Sequence, residues 1–280
     1  MRRRLPFPGA CFFFCPALLA WGTAGHHIVA IIAEARLSET ARTQVRQILL
    51  NGKYSLPDIS TCADTIRDAR AADYETCFAL AGSVTGNTAP WHYIDIPVPK
   101  FEKPLARYCP DGNCVVAALE RYRDILRSSR DETQRRAALL FVVHLMGDIH
   151  QPLHCAERGC DRGGNGERVS GGKSLHQVWD IALVEKAAAK VDLTGARIDA
   201  AKAQRWAEAS IEDIALESHA LAVQRVYRTI PFEDFCLDPK AQYPAIALGA
   251  KYEKSGERIV REQLLKAGVR LAALLNSAFR

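Results

Sequence analysis

The chain has 280 residues, 48% of them hydrophobic and 25% charged, which excludes a disordered or low-complexity polymer and leaves room for one large domain or two small ones. Its formal charge is +5, but Arg2, Arg3 and Arg4 crowd at the extreme N-terminus. The remainder is close to neutral, so net charge by itself selects no class of partner.

Residues 1–20 read as a secretory signal. The arginines form its basic start, a short apolar stretch from Phe7 to Ala20 follows, and Ala20 is small enough for the cleavage position. The stretch is too short for a membrane span, and no later stretch is apolar for long enough. Export to the periplasm or the medium implies an oxidising compartment in which disulfides persist. Cys11 and Cys15 leave with the signal. The spacing predicts Cys109–Cys114 and Cys155–Cys160 as short local disulfides and Cys62–Cys77 as a third, leaving Cys236 over.

From Trp21 onward the pattern is helical. Residues 24–52 carry apolar residues at helical spacing and stop at Gly52. Further helical runs are expected at Val115–Ser128, Asp131–Gln151, Leu175–Ala189, Asp199–Arg228 and Lys240–Arg280. Pro- and Gly-rich loops separate them, and the best extended candidate is "WHYIDIPV". With no repeat and no long linker, the expectation is one all-α domain over residues 21–280.

Two pairs stand out from the apolar background. His144 and Asp148 lie four residues apart in a strongly apolar helix, so they share a face, about 6 Å apart at their Cβ atoms. His176 and Asp180 repeat the spacing at the start of another helix. One buried His–Asp pair could be a polar patch in the core. Two such pairs, with His154 between them in sequence, are hard to explain by packing, because a carboxylate in an apolar run is costly unless it is paired or bound to a cation. Asp64 in "CADTIRD", His92 in "WHYIDIP" and His26 near the mature start enlarge the set to five histidines and three aspartates. Processing before Trp21 would add a free amine beside its carbonyl. Imidazole, carboxylate and amine together exceed the appetite of one zinc and suit a cluster of two or three. A rival site of His154, Cys155 and Cys160 is less favoured than a disulfide in an exported chain.

The same residues suggest a phosphate ester as substrate. A zinc cluster can activate water and clamp a phosphoryl oxygen. Arg67 lies one helical turn from Asp64, within reach of a phosphate beside the metals. Tyr93 could offer a ring face to a nucleobase, and Asp95 could accept hydrogen bonds from its edge.

The motifs "WGTAGH", "CADTIRD", "WHYIDIP", "VHLMGDIHQPLH", "RGGNGERV" and "LHQVWD" resemble, in order and over essentially the whole mature chain, the zinc-dependent single-strand-specific nucleases of fungi and the bifunctional class I nucleases of plants. That superfamily includes bacterial zinc phospholipase C. The resemblance implies an all-α fold with three zinc ions. Asp64, His92 and His144 would hold one, and Trp21 (amine and carbonyl) with His26 the second. Asp148 would bridge these two together with a hydroxide that attacks phosphorus. His154, His176 and Asp180 would hold the third. By the same resemblance Asp148 and Arg67 serve the reaction, and Tyr93, Asp95 and Arg67 bind substrate. The implied enzyme is a secreted or periplasmic endonuclease, acting as a monomer on single-stranded DNA and RNA to give 5′-nucleotides, with 3′-nucleotidase activity on nucleotides. No stable protein partner and no membrane contact after processing are expected. Ile181, after Asp180, departs from a polar residue common in relatives. The alternative function is a phospholipase C with a headgroup pocket; a non-enzymatic zinc-binding protein is the other class.

Overall fold

The most apolar helix lies at the centre of the molecule. In a computed structural model, which describes residues 21–280 apart from 83, 85, 191, 239 and 240, every residue from Ala137 to Asp148 is buried. A helix apolar on all sides has no solvent face to offer, so its neighbours must surround it. The expected signal segment, residues 1–20, lies outside the described residues.

In chain order the helices are α1 (Gly22–Glu34), α2 (Glu39–Ile48), α3 (Leu56–Ile59), α4 (Cys62–Thr65), α5 (Tyr74–Ala81), α6 (Val115–Ser128), α7 (Glu132–Asp148), α8 (Leu175–Gln177), α9 (Leu183–Lys190), α10 (Ala200–Ala207), α11 (Ile211–Leu221) and α12 (Ala250–Ala278). A π-helical turn, Val178–Ala182, joins α8 to α9. The central α7 packs against α6, α5 and α12, while α1 and α9 lie along α12. Among the described residues there is no β-ladder; three isolated bridges, including Pro97 with Glu157, are the only extended pairings. The expected all-α architecture is the observed one, and "WHYIDIPV" divides into a 3-10 turn, Ala89–His92, followed by extended backbone.

Helix ends follow local chemistry. The Asp131 side chain accepts from the N–H groups of Thr133 and Gln134 at the start of α7. Ser174 and Gln177 form a reciprocal capping box that starts α8 and fixes His176 in its first turn. The expected single helix over 24–52 is two: Ser38 caps α2 by accepting from Ala41 N–H, and the chain turns between Ala35 and Ser38. The expected run 199–228 likewise breaks before Ser210, which caps α11. The last helix begins at Ala250 rather than near residue 240.

Disulfides join Cys62 to Cys77 and Cys109 to Cys114, as the spacing predicts. The third expectation is corrected. Cys160 pairs with Cys236, and Cys155 is a free, buried thiol. The backbone explains the exchange. Cys155 ends the 3-10 turn Pro152–Cys155 and points inward, its Sγ 3.5 Å from the Ile149 carbonyl. Gly159 and Cys160 then take left-handed backbone. Phe235 N–H donates to the Gly159 carbonyl at 2.8 Å and brings Cys236 alongside Cys160. The rival thiolate site of His154, Cys155 and Cys160 is thereby removed.

Candidate metal centre

Four elements converge on one cleft. α1 brings His26, α4 brings Asp64, the turn Ala89–His92 brings His92, and α7 brings His144 and Asp148. All five residues are at most 3% exposed. Their donor atoms face one another. His26 Nε2 lies 3.4 Å from Asp148 Oδ1, and His144 Nε2 lies 3.3 Å from Asp148 Oδ2 and 3.5 Å from Asp64 Oδ2. His92 Nδ1 lies 2.9 Å from Asp148 Oδ2 and 3.5 Å from Asp64 Oδ1. Beside them a second set gathers His154, His176 and Asp180, with His154 Nε2 3.2 Å from His176 Nε2 and His176 Nε2 3.0 Å from Asp180 Oδ2.

These distances suit a cation. Two ligand atoms about 2.0–2.1 Å from one tetrahedral zinc stand about 3.3–3.4 Å apart. Hydrogen bonding alone does not satisfy the set: His26 Nδ1 and Nε2, Asp64 Oδ2, His92 Nε2, His144 Nε2 and Asp148 Oδ1 are buried without a partner. The imidazoles are also aimed from behind. His144 Nδ1 donates to the Ser60 carbonyl at 2.8 Å, His154 Nδ1 to the His92 carbonyl at 2.8 Å, and His176 Nδ1 to the Gly163 carbonyl at 2.7 Å. In the neutral imidazole each bond leaves the Nε2 lone pair free and pointed into the cleft, the usual support of a metal-ligating histidine. With both rings neutral, His154 and His176 direct two lone pairs at each other, an arrangement that repels unless a proton or a cation lies between them. Three residue groups could hold a metal: His26, Asp64 and His144; His92, His144 and Asp148; and His154, His176 and Asp180. The residues present thus fit divalent cations.

The electrostatics follow the same lines. With no cation at Nε2, burial opposes charge on His144, yet Asp148 and Asp64 outweigh it and push the imidazole up to about 9, so a bound cation takes the place of a proton. Burial also opposes the Asp148 charge, and His144, His26 and His92 overcome it and hold this carboxyl well below the usual range. Burial and the neighbouring His144 keep His26 low. The cluster is a pool of negative charge shared among imidazoles, which is what a cation would find.

The positioning residues that periodicity cannot reveal are now visible. Gln151, fully buried, donates Nε2 to Asp180 Oδ1 at 2.7 Å and accepts from Leu153 N–H at 2.6 Å, tying the His154 turn to the helix that carries Asp180. Asp180 itself lies in the π turn, an insertion frequent at functional sites. Gly147 must lack a side chain: a Cβ there would stand 2.8 Å from His26 Nδ1. Trp21 is fully buried, and its indole N–H donates to the Gly147 carbonyl at 2.6 Å. Trp21 therefore anchors α1 against α7 through its ring, whatever its backbone donors do.

Beside the groups that could hold a metal opens a cavity of about 510 Å³. His92, His154 and His176 form part of its wall, and Arg67, Tyr93 and Asp95 line it with them. Arg67 Nη1 is 3.1 Å from Asp64 Oδ1, one turn along as the spacing requires. Tyr93 is 40% exposed, enough to offer a ring face. Burial, with Asp161 nearby, pushes the Asp95 carboxyl up to about 6. Of the side chains singled out in the sequence, Arg67, His92, Tyr93, Asp95, His154 and His176 line this cavity, and His26, Asp64, His144, Asp148 and Asp180 belong to the donor groups beside it, whereas Ile181 is 36% exposed and does not line it.

The family model described as S1/P1 Nuclease matches residues 21–280. The chain belongs to the S1/P1 nuclease family. It is similar to Nuclease S1 of Aspergillus oryzae, 29% identical across 99% of this chain and 98% of the relative. Endonuclease 2 of Arabidopsis thaliana is 30% identical across 95% and 93%. Nuclease P1 of Penicillium citrinum is 28% identical across 69% and 67%. As a member of the S1/P1 family the chain is a nuclease, a hydrolase of phosphodiester bonds, which removes the non-enzymatic alternative.

Proposed function

We propose that the chain is a zinc-dependent endonuclease of single-stranded DNA and RNA that releases 5′-nucleotides and also removes 3′-phosphates from nucleotides. The observation that carries this reading is the set of buried, partnerless donor atoms beside a cavity lined by Arg67, Tyr93 and Asp95. Asp64, His92 and His144 would hold one cation, His26 with the Trp21 amine and carbonyl a second, and His154, His176 and Asp180 a third. Asp148, whose Oδ1 faces His26 and whose Oδ2 faces His92 and His144, would join the first two. Bound there, divalent cations polarise a phosphoryl oxygen and lower the pKa of water.

The chain's own residues do the rest. The Arg67 guanidinium is held by Asp64 at the edge of the cleft, and its outer donors remain available to a phosphate oxygen. Tyr93 stacks on an unpaired base and Asp95 accepts from its edge, so the phosphate is located by the base beside it. A base inside a duplex cannot enter without leaving its stack, which gives the preference for single strands. Buried walls around the donor atoms exclude bulk water and strengthen each of these contacts. Processing before Trp21, which frees its amine, and export of the mature chain to the medium or periplasm belong to the same proposal.

The test compares hydrolysis of single-stranded DNA, single-stranded RNA, duplex DNA and phosphatidylcholine by zinc-loaded protein processed before Trp21. Cleavage of the two single strands to 5′-phosphate ends is expected. Faster turnover of phosphatidylcholine would replace the reading with phospholipase C, against which the Tyr93–Asp95 pair already argues, since a carboxylate with an aromatic edge group suits a base amino group.

A further inference from the structure

The wall of the cavity away from α7 carries cations that the proposed chemistry does not use. Arg162 and Lys173 line the same space as Arg67 and Tyr93, and both are exposed. Neither side chain has an ion-pair partner among the described residues. The backbone that presents Arg162 is unusual. Gly159, Cys160, Arg162, Gly163 and Gly164 all have positive φ, and Arg162, at +56°, does so where glycine would be easier. The loop is nonetheless pinned. Glu157 Oε1 and Oε2 accept from the N–H groups of Arg162 and Gly163, Asp161 accepts from Tyr227, and the Cys160–Cys236 disulfide closes the far side. Lys173 is presented by an adjacent tight turn, in which Val169 N–H donates to the Lys173 carbonyl and Gly171 and Gly172 take positive φ. Two unpaired cations are thus held on rigid supports at the rim of one cleft.

An endonuclease keeps strand on both sides of the bond it cuts, so phosphates beyond the scissile one must cross this rim. We propose that Arg162 and Lys173 form a second phosphate-binding subsite, which holds two phosphates of the strand beyond the scissile one and makes the enzyme favour polynucleotides over shorter substrates. This rests on the single-strand nuclease reading above. Each cation is expected to pair with a phosphate, strengthening binding without reading sequence.

The experiment measures binding separately from cleavage. A labelled phosphorothioate oligothymidylate of about twelve nucleotides, chosen to resist hydrolysis, is titrated by fluorescence anisotropy with zinc-loaded wild-type protein, the Arg162→Ala/Lys173→Ala double variant and Lys254→Ala, an exposed control on α12, at several salt concentrations. The slope of log K against log salt should fall by about 1.4 in the double variant, about 0.7 for each single-strand phosphate that is no longer neutralised, and should be unchanged in the control. With the unmodified oligonucleotide, the ratio of its kcat/KM over that for a dinucleotide should fall about tenfold or more in the double variant. Equal slopes, an equal loss in the control, or an unchanged ratio would each overturn the subsite. A wild-type chain that binds the strand with the expected slope but hydrolyses no nucleic acid would refute the proposed reaction and leave the subsite standing.

Discussion

Removing the metal should destabilise the whole molecule, and the size of the effect can be worked from the cleft. Four atoms that face one another there, His26 Nε2, Asp64 Oδ2, His144 Nε2 and Asp148 Oδ1, are buried and without a hydrogen-bond partner among the described residues. A buried polar atom left unsatisfied costs about 1–3 kcal/mol, so the four together come to about 4–12 kcal/mol. That is comparable with the entire stability of a domain, about 5–15 kcal/mol. Water entering the emptied cleft recovers part of it, so the lower end, about 4 kcal/mol, is the expected loss. For a chain of this size each kcal/mol moves the melting temperature by about 2–4 °C, giving a fall of about 8–16 °C. The assay is thermal unfolding followed by far-ultraviolet circular dichroism, before and after chelation and again after zinc is restored, with metal content checked by elemental analysis. Complete loss of metal with a shift below about 3 °C would show that the donor atoms are satisfied some other way and that bound cations do not hold the cleft together.

Asp148→Asn keeps the shape of the side chain and removes the charge that touches His26, His92 and His144. It should lower hydrolysis by about 10³-fold or more while the helical signal persists; near-normal turnover would count against a joining role. Gly147→Ala would push a methyl group against His26 Nδ1. It should reduce bound zinc per chain, read by elemental analysis, more than Gly249→Ala, where nothing lies within 4 Å and φ is −78°. The Glu157 carboxyl is pushed up to about 7 by burial, with Asp95 and Asp161 adding to it. Its folded pKa exceeds the unfolded value of about 4.3, so the folded state holds more protons between the two and stability falls as pH rises through that window. Glu157→Gln lacks this loss, so its melting temperature relative to wild type should rise between about pH 5 and pH 8; a constant difference would contradict the assignment. Finally, peptide mapping under non-reducing conditions should recover Cys160 joined to Cys236, and Cys155 should react with a thiol reagent only after unfolding. The 76-residue separation makes that link worth about 4.5 kcal/mol of loop closure.

Much of the site could be read from spacing because its parts are local. His144 with Asp148, and His176 with Asp180, are four residues apart on helices, and helical geometry alone brings each pair together. Arg67 beside Asp64 follows in the same way at three residues. The helical pattern of residues 115–128 fixes its boundaries, since turn residues bound it on both sides. What spacing could not give was any contact set by packing. Cys155 and Cys160 looked like partners because they are close in sequence, but the left-handed turn at Gly159 and Cys160 carries the second away from the first. Gln151 carries no periodic signal at all; its meaning lies in one hydrogen bond to a residue on a different helix.

The sequence by itself determined an all-α chain, two histidine–aspartate pairs and the supply of further donors, because helix formation and side-chain facing depend on neighbours within a turn or two. Only the tertiary structure decided that Asp64 meets His144, that Ser60 and Gly163 aim the imidazoles, and that donors from distant helices end buried and unpaired in one cleft. Those relations depend on how α1, α4 and α7 pack around a common core, and packing is a property of the whole set of side-chain shapes rather than of any short stretch.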